Sequence, residues 1–249
     1  MSGGPMCFSP EADVAAAAII GAVGVDALRH VPERAAWPMA ALPVLFAAHT
    51  LTEAFVWWGV RGELGDAGTN AAALTAATAV YLAFAFVILP LYVPVAVLAL
   101  ERVPARRRAG AAALAAGAVC AGWLAFTLVT GPVRAHADER HITYTVHLWM
   151  GSVPIALYLV STCGVLLLSG RPFLRWFGAA NLLAVAVLAW VSTEAVTSLW
   201  CAWAAVTSVA IAAHLRGRTP AGAPAGAPAG APAGAPRPGH QMAPRHPDG

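Results

Sequence analysis

Long, uninterrupted apolar runs dominate the chain, and they restrict its possible folds more than any other feature. The run from Trp37 to Val60, for example, contains Glu53 and His49 but no aspartate, lysine or arginine. A bilayer core about 30 Å thick is crossed by roughly 20 apolar residues of helix. Because 59% of the residues are hydrophobic and only 11% are charged, we expect a multi-pass membrane protein rather than a soluble domain.

Seven runs are long enough to cross a bilayer. They are Glu11–Leu28, Ala36–Val60, Asn70–Leu100, Ala111–Thr130, Ile142–Ser169, Phe173–Val191 and Ser192–His214. The third contains Pro90 and Pro94, so we expect a kink or an interfacial end there. The sixth and seventh are separated only by a short polar stretch that begins at Ser192.

The arginines predict the orientation. They are concentrated in the connections after the first, third and fifth runs and beyond the seventh, whereas the other connections are mixed or acidic. The positive-inside rule therefore places the N-terminus outside and the C-terminus in the cytoplasm, which an odd number of spans satisfies. The predicted fold is all-α, a polytopic bundle of seven transmembrane helices in the plasma membrane. Because the basic residues lie in short loops, we expect the bilayer and no nucleic acid as partner.

Three regions are predicted along the chain. Residues 1–8 form a short N-terminal segment, residues 9–215 form the seven-helix transmembrane domain, and residues 216–249 form a disordered tail rich in Pro, Ala and Gly. Ser9 and Pro10 have the residue types of an N-cap and a first helical position.

The N-terminus also raises the question of the true start. Met6 is an alternative initiator to Met1. Removal of Met6 would leave Cys7 with its thiol and an α-amine together, which is a pair able to bind a metal or act as a nucleophile.

Ionisable residues inside predicted spans indicate a functional site. His49 and Glu53 are four residues apart and share one face of the second span. We expect Tyr144 and His147 in the first two turns of the fifth span and Glu194 near the start of the seventh. In the predicted orientation, all five residues lie in the outer half of the bilayer. The sequence therefore predicts one polar site there, which is the candidate catalytic site.

Several kinds of chemistry fit these groups. Carboxylates and imidazoles bind Zn²⁺ or a di-metal centre, and the candidate ligands are His49, Glu53, His147, Glu194 and Cys7. A carboxyl group buried among apolar side chains is protonated more readily and then serves as a general acid. Glu/His pairs also form proton relays in transporters, and the same residues can simply join helices by hydrogen bonds.

Among these we favour an enzyme that acts on a lipid-like or isoprenoid substrate by acid/base or metal-assisted chemistry. The alternative is a proton-coupled small-molecule transporter or a heptahelical sensor. The near-absence of polar residues from the predicted inner half favours the enzyme, because a transporter needs a second vestibule on that side.

Two stretches carry a resemblance to a known family. "MCFSPEADVAAAAIIGAVGVDALRHV" and "LPVLFAAHTLTEAFVWWGVRG" resemble a family of bacterial multi-pass membrane proteins of unknown function, which begin Met-Cys-Phe-Ser and carry a His-xxx-Glu element in the second span. The resemblance covers about residues 6 to 215 and implies the same seven-span architecture. It draws attention to Cys7, Phe8, Ser9, His49 and Glu53.

Two better-known families are similar more distantly. Integral-membrane terpene cyclases resemble the chain in layout, with acidic residues in an early and a late span, which Glu53 and Glu194 would match. The seven-span ceramidase and adiponectin-receptor hydrolases bind zinc through an HxxxH pair in the last span. The last span here has Glu194 and Ser198 instead.

Overall fold

A computed structural model of the chain describes residues 9–137, 142–146, 150–191 and 196–218. Within these residues the chain forms seven helices and one two-stranded sheet. The helices are α1 (Pro10–Arg29), α2 (Trp37–Val60), α3 (Ala67–Leu100), α4 (Pro104–Thr130), α5 (Ser152–Leu167), α6 (Pro172–Val191) and α7 (Val196–Arg216), and the strands are β1 (Val133–Ala137) and β2 (Ile142–Val146).

Three of these helices are long and apolar enough to cross a membrane. They are α2 with its preceding 3-10 turn, α3 and α4. α5 and α6 are shorter apolar helices. The described part of the chain is therefore a mostly helical protein of membrane character.

Capping residues fix where several helices begin. The Ser9 hydroxyl accepts a hydrogen bond from the Ala12 N–H (3.3 Å), and Pro10 takes the first helical position of α1, as predicted. A carboxylate oxygen of Asp66 caps α3 by accepting from the Thr69 N–H at 2.8 Å. α4 begins at Pro104, seven residues before the predicted start of its apolar run. Proline at the first position and the helix-forming arginines that follow explain this extension.

A π turn interrupts α3 at Phe84–Ile88, directly before Pro90. Proline has no N–H to donate, and its ring clashes with the carbonyl group four residues earlier in a regular α-helix. A turn with one additional residue relieves that clash, which explains why the irregularity lies here.

The fifth apolar run begins with a strand and not with a helix, so the predicted helix over Ile142–Ser169 was wrong at its start. β2 pairs antiparallel with β1, with Val133 opposite Val146, and α5 begins only at Ser152. In Ile-Thr-Tyr-Thr-Val every residue is β-branched or aromatic, and these residue types favour strands. The fold is therefore a helical bundle that carries a β-hairpin rather than an all-α bundle.

Consecutive helices pack as antiparallel neighbours. α1 and α2 approach so closely that a Cβ at Gly24 would lie 2.8 Å from the backbone nitrogen of Val44. The last helix returns to the first, where the Arg216 guanidinium donates to Asp26 at 2.6 Å. The described helices therefore form one bundle whose final helix packs against its first.

Three arginine-bearing connections meet at one end of this bundle. Glu33, after α1, accepts hydrogen bonds from Arg102 after α3 (2.8 Å) and from Arg171 after α5 (2.9 Å). The carboxylate of Glu101 accepts from the Gly170 N–H at 2.9 Å. Ion pairs thus join the connections after α1, α3 and α5, in which the arginines are concentrated. The hairpin and the Asp66 cap lie at the opposite end.

We expect Glu33→Gln to lower the free energy of unfolding by about 1 kcal/mol at neutral pH, because its partners are only partly buried. The hydrogen bond from Arg171 holds the pKa of Glu33 below its usual value of 4.5, partial burial opposes this, and the charges of Arg171 and Arg102 add to the lowering. Ionised Glu33 therefore stabilises the fold above about pH 4.5, and this contribution is lost as the pH falls through the lowered pKa.

Thermal unfolding in detergent at neutral and acidic pH measures this effect. The wild type and Glu33→Gln should differ at neutral pH and converge in acid. Arg102→Gln is the matched control, because the Arg102 side chain is 82% exposed and that of Arg171 is 24% exposed. A larger loss of stability for Arg102→Gln than for Arg171→Gln would contradict the assignment.

Candidate functional site

His49 and Glu53 lie on the buried face of α2, one turn apart, as the sequence predicts. Their exposed fractions are 4% and 2%, and that of the neighbouring Thr50 is 1%. Ala54 and Val56 complete the same stretch of buried helix surface. Two ionisable side chains therefore occupy positions at which an apolar core would ordinarily place leucine or valine.

The His49 ring is held between two aromatic rings of α3. Its centroid lies 4.1 Å from that of Tyr81 and 4.4 Å from that of Phe84, and both pairs are nearly parallel. Two parallel rings so close to one imidazole cannot fit side by side on the same face. Tyr81 and Phe84 therefore cover opposite faces of His49 and fix its plane, leaving only the ring edge, which carries both nitrogens, to interact with other groups.

Tyr144 extends this arrangement from α3 to the hairpin. Its ring stacks on Tyr81 with a centroid distance of 4.8 Å and an interplanar angle of 14°. We call the four rings Phe84, His49, Tyr81 and Tyr144 the aromatic column. The column links α2, α3 and β2, so it brings together two of the predicted site residues that are far apart in sequence.

The column and its surroundings on α2 contain two buried polar atoms that lack a hydrogen-bond partner in the described part of the chain. Among the described residues, no partner contacts the buried His49 Nδ1 or the Thr50 hydroxyl oxygen. Leaving a buried polar group without a partner costs about 1–3 kcal/mol. A histidine that joins helices through Nδ1 donates or accepts a hydrogen bond there, and among the described residues His49 does neither. The arrangement is therefore more typical of a site that awaits a ligand or a proton than of a structural contact.

The structure describes three of the five residues that were predicted to be catalytic. His49, Glu53 and Tyr144 belong to the region of the aromatic column, although Tyr144 reaches it from a strand rather than from the predicted helix. His147 and Glu194 lie outside the described residues, as does Cys7. The predicted joining of His147 and Glu194 to this site therefore stays a prediction.

Three residues near the site escaped the sequence reasoning. Tyr81 and Phe84 are one turn apart on α3, but nothing in the sequence shows that their face meets α2. Asp13 lies in the first turn of α1, where an acidic residue is common and does not by itself indicate a site. Its exposed fraction is 8%, and one carboxylate oxygen has no hydrogen-bond partner among the described residues. The close approach of Gly24 to Val44 and of Gly21 to Ala47 sets a register that places Asp13 near the level of Glu53.

Other polar residues near the hairpin end of the bundle have structural roles. The Asn70 side chain donates to the Gly59 carbonyl oxygen (2.8 Å) and accepts from the Leu64 N–H (3.1 Å). It thereby ties the start of α3 to the end of α2. Thr127 donates to the carbonyl oxygen one turn earlier in α4.

The predicted metal site requires several ligand side chains that lie close together. Within the described ranges, no three His, Cys, Asp or Glu side chains come close enough to hold a metal ion. His49 Nδ1 and the Glu53 carboxylate are ligand types that Zn²⁺ accepts, and a zinc site needs at least one further protein ligand. The remaining candidates, His147, Glu194 and Cys7, lie outside those ranges, so the zinc site stays a prediction.

Comparison with known proteins identifies the family of this chain. No curated protein and no solved structure matches the chain. A family model described as "Family of unknown function (DUF6629)" matches residues 6–226. The match covers α1 to α7 and begins at the Met-Cys-Phe-Ser stretch on which the sequence resemblance was based. The chain therefore belongs to this family.

Proposed function

We propose that all seven helices cross the bilayer, with the N-terminus outside and the C-terminus in the cytoplasm. Helices beyond the three longest also present apolar surface: Ile19 on α1, Ile155 on α5, Leu183 on α6 and Val206 on α7 are each more than half exposed. Exposed apolar side chains spread over so many helices suit a lipid environment better than water. The arginine-bearing connections that meet at one end support the orientation.

We further propose that the aromatic column and Glu53 form an acid/base site acting on a lipid-like substrate. The observation that supports this proposal most directly is the buried His49 Nδ1, which has no hydrogen-bond partner among the residues that the structure describes. The stacked rings hold the imidazole in one plane, as general acid–base catalysis requires of a group that must meet the reacting atom in a fixed geometry. Glu53, one turn along the same helix, supplies a second ionisable group at nearly the same depth.

The proposed roles follow from these positions. His49 accepts or delivers a proton at its ring edge, Glu53 exchanges protons as the partner acid, and the Tyr144 hydroxyl donates a hydrogen bond to the substrate. Asp13 joins the candidates as a further buried carboxyl group. A divalent metal such as Zn²⁺ is retained as a prediction and would add His147 or Glu194 as ligands.

Glu53→Gln tests the chemical proposal, because glutamine keeps the shape and removes the ionisable group. In cells that produce the wild-type protein, at least one membrane lipid species should rise or fall relative to cells without it. We expect Glu53→Gln to reduce that change by about 100-fold or more, as loss of an acid/base group does. Mass spectrometry of extracted lipids measures the change.

Glu63→Gln is the matched control, since Glu63 lies exposed beyond the end of α2. It should leave the lipid change intact. Two results would contradict the enzyme proposal: a wild-type protein that alters no lipid, and a Glu53→Gln variant that alters lipids as fully as the wild type.

A further inference from the structure

A cavity of about 320 Å³ lies between α3, α4 and β1. Its apolar wall includes Leu74 and Ala79 of α3, Leu128 of α4 and Val133 of β1, and its polar lining includes Thr78 and Arg134. The volume is at the lower end of the range for small-molecule sites, roughly 300–1,000 Å³. It is suited to part of a long apolar molecule, the rest of which stays outside the protein.

Two polar features point to a ligand in this cavity. Thr78 is only 4% exposed, and its hydroxyl oxygen has no hydrogen-bond partner among the described residues. Threonines in helices commonly donate to the carbonyl oxygen one turn earlier, as Thr75 does at 2.8 Å. Arg134 is exposed and follows the end of α4 by four residues, so its guanidinium lies at the end of the bundle where a bilayer surface would be.

The cavity adjoins the aromatic column. Thr78 precedes Tyr81 by one helical turn of α3, and Ala135, which also lines the cavity, is the cross-strand partner of Tyr144. A molecule in the cavity would therefore lie beside the rings that hold His49 in place.

We propose that this cavity binds an anionic phospholipid, with its phosphate on Arg134, an ester carbonyl oxygen accepting a hydrogen bond from the Thr78 hydroxyl, and part of one acyl chain against the apolar wall. Arginine presents a planar fork of donors that matches a phosphate group. The lining residues of α3 and α4 lie within the helices, deeper in the bundle than Arg134, and this is the order of head and tail in the outer leaflet. Because His49, Glu53 and Tyr144 do not line this cavity, the lipid occupies a second site beside the proposed acid/base site, and its binding does not depend on the proposed function.

A measurement of lipid binding that involves no reaction tests the lipid site separately from the proposed acid/base function. Full-length protein in detergent is titrated with phosphatidylglycerol and with phosphatidylcholine of the same acyl chains, and bound lipid is counted by native mass spectrometry. We expect a preference for phosphatidylglycerol that Arg134→Gln weakens about tenfold or more. Arg61→Gln, which removes one positive charge at the same end of the bundle but outside the cavity lining, should keep the preference.

Further variants make the outcome specific to the cavity. Ala79→Phe fills the space without changing any charge and should also weaken phosphatidylglycerol binding, whereas Gly122→Ala, on α4 but outside the cavity lining, should bind as the wild type does. Equal binding of the two lipids, or equal effects of Arg134→Gln and Arg61→Gln, would overturn the proposal. Displacement of the lipid by glycerol phosphate alone would overturn the assignment to a lipid.

Discussion

Gly117→Ala is expected to lower the free energy of unfolding by about 3 kcal/mol or more, at or beyond the upper end of the usual range for overpacking. A Cβ at this position would overlap the carbonyl oxygen of Pro90 and would lie 3.1 Å from the Cβ of Ser161. Helices α3, α4 and α5 meet at this point. Because the group in the way is backbone, no side-chain rotation can make room, and α3 and α4 must separate.

Gly122→Ala on the same helix is the matched control. A Cβ there would meet nothing within 4 Å, so alanine should be neutral or stabilise α4 by about 0.5–1 kcal/mol through its higher helix propensity. Thermal unfolding and folded yield in detergent compare the two. Equal stability of both variants would show that α3 and α4 do not cross at Gly117.

His49→Phe is expected to separate stability from activity. Phenylalanine keeps a ring between Tyr81 and Phe84 and removes a buried nitrogen for which the described residues supply no partner. Replacing an unsatisfied polar group by an apolar one of similar shape is nearly neutral or stabilising. We therefore expect unchanged or higher stability, together with loss of the lipid change assigned to the wild type.

His49→Ala should behave differently from His49→Phe. Truncation leaves a gap between Tyr81 and Phe84, and loss of a buried ring costs about 3–5 kcal/mol. If His49 only joined helices by a hydrogen bond, both variants would lose stability. A fall of more than about 1 kcal/mol for His49→Phe would thus support the structural interpretation against the catalytic one.

The helical architecture could be predicted because apolar run length and arginine placement each follow from one strong physical constraint. The ends of α1, α2 and α3 follow from residues such as Ser9, Arg61 and Asp66, which act within a few residues of their own position. Glu33, Arg102 and Arg171 meet because successive helices run in opposite directions. The connections after α1, α3 and α5 therefore lie at the same end of the bundle.

The β-hairpin and the aromatic column could not be predicted from the sequence in this way. Hydropathy alone cannot separate Ile142–Val146 from the helix that follows it, because both are apolar. The β-branched and aromatic residues of this stretch favour a strand, but run length does not register them. The position of His49 between Tyr81 and Phe84 depends on how α2 and α3 rotate about their axes. Rotation is decided by packing of small residues such as Gly59 against Leu74, which no single helix encodes.

In the proposed function, His49 does chemistry rather than hold helices together. The most direct test compares lipids extracted from membranes that contain equal amounts of folded wild-type protein and folded His49→Phe. We predict that a lipid species altered by the wild type is unaltered by the variant, although the variant unfolds at the same temperature or higher. The same altered lipid in both membranes would contradict the claim.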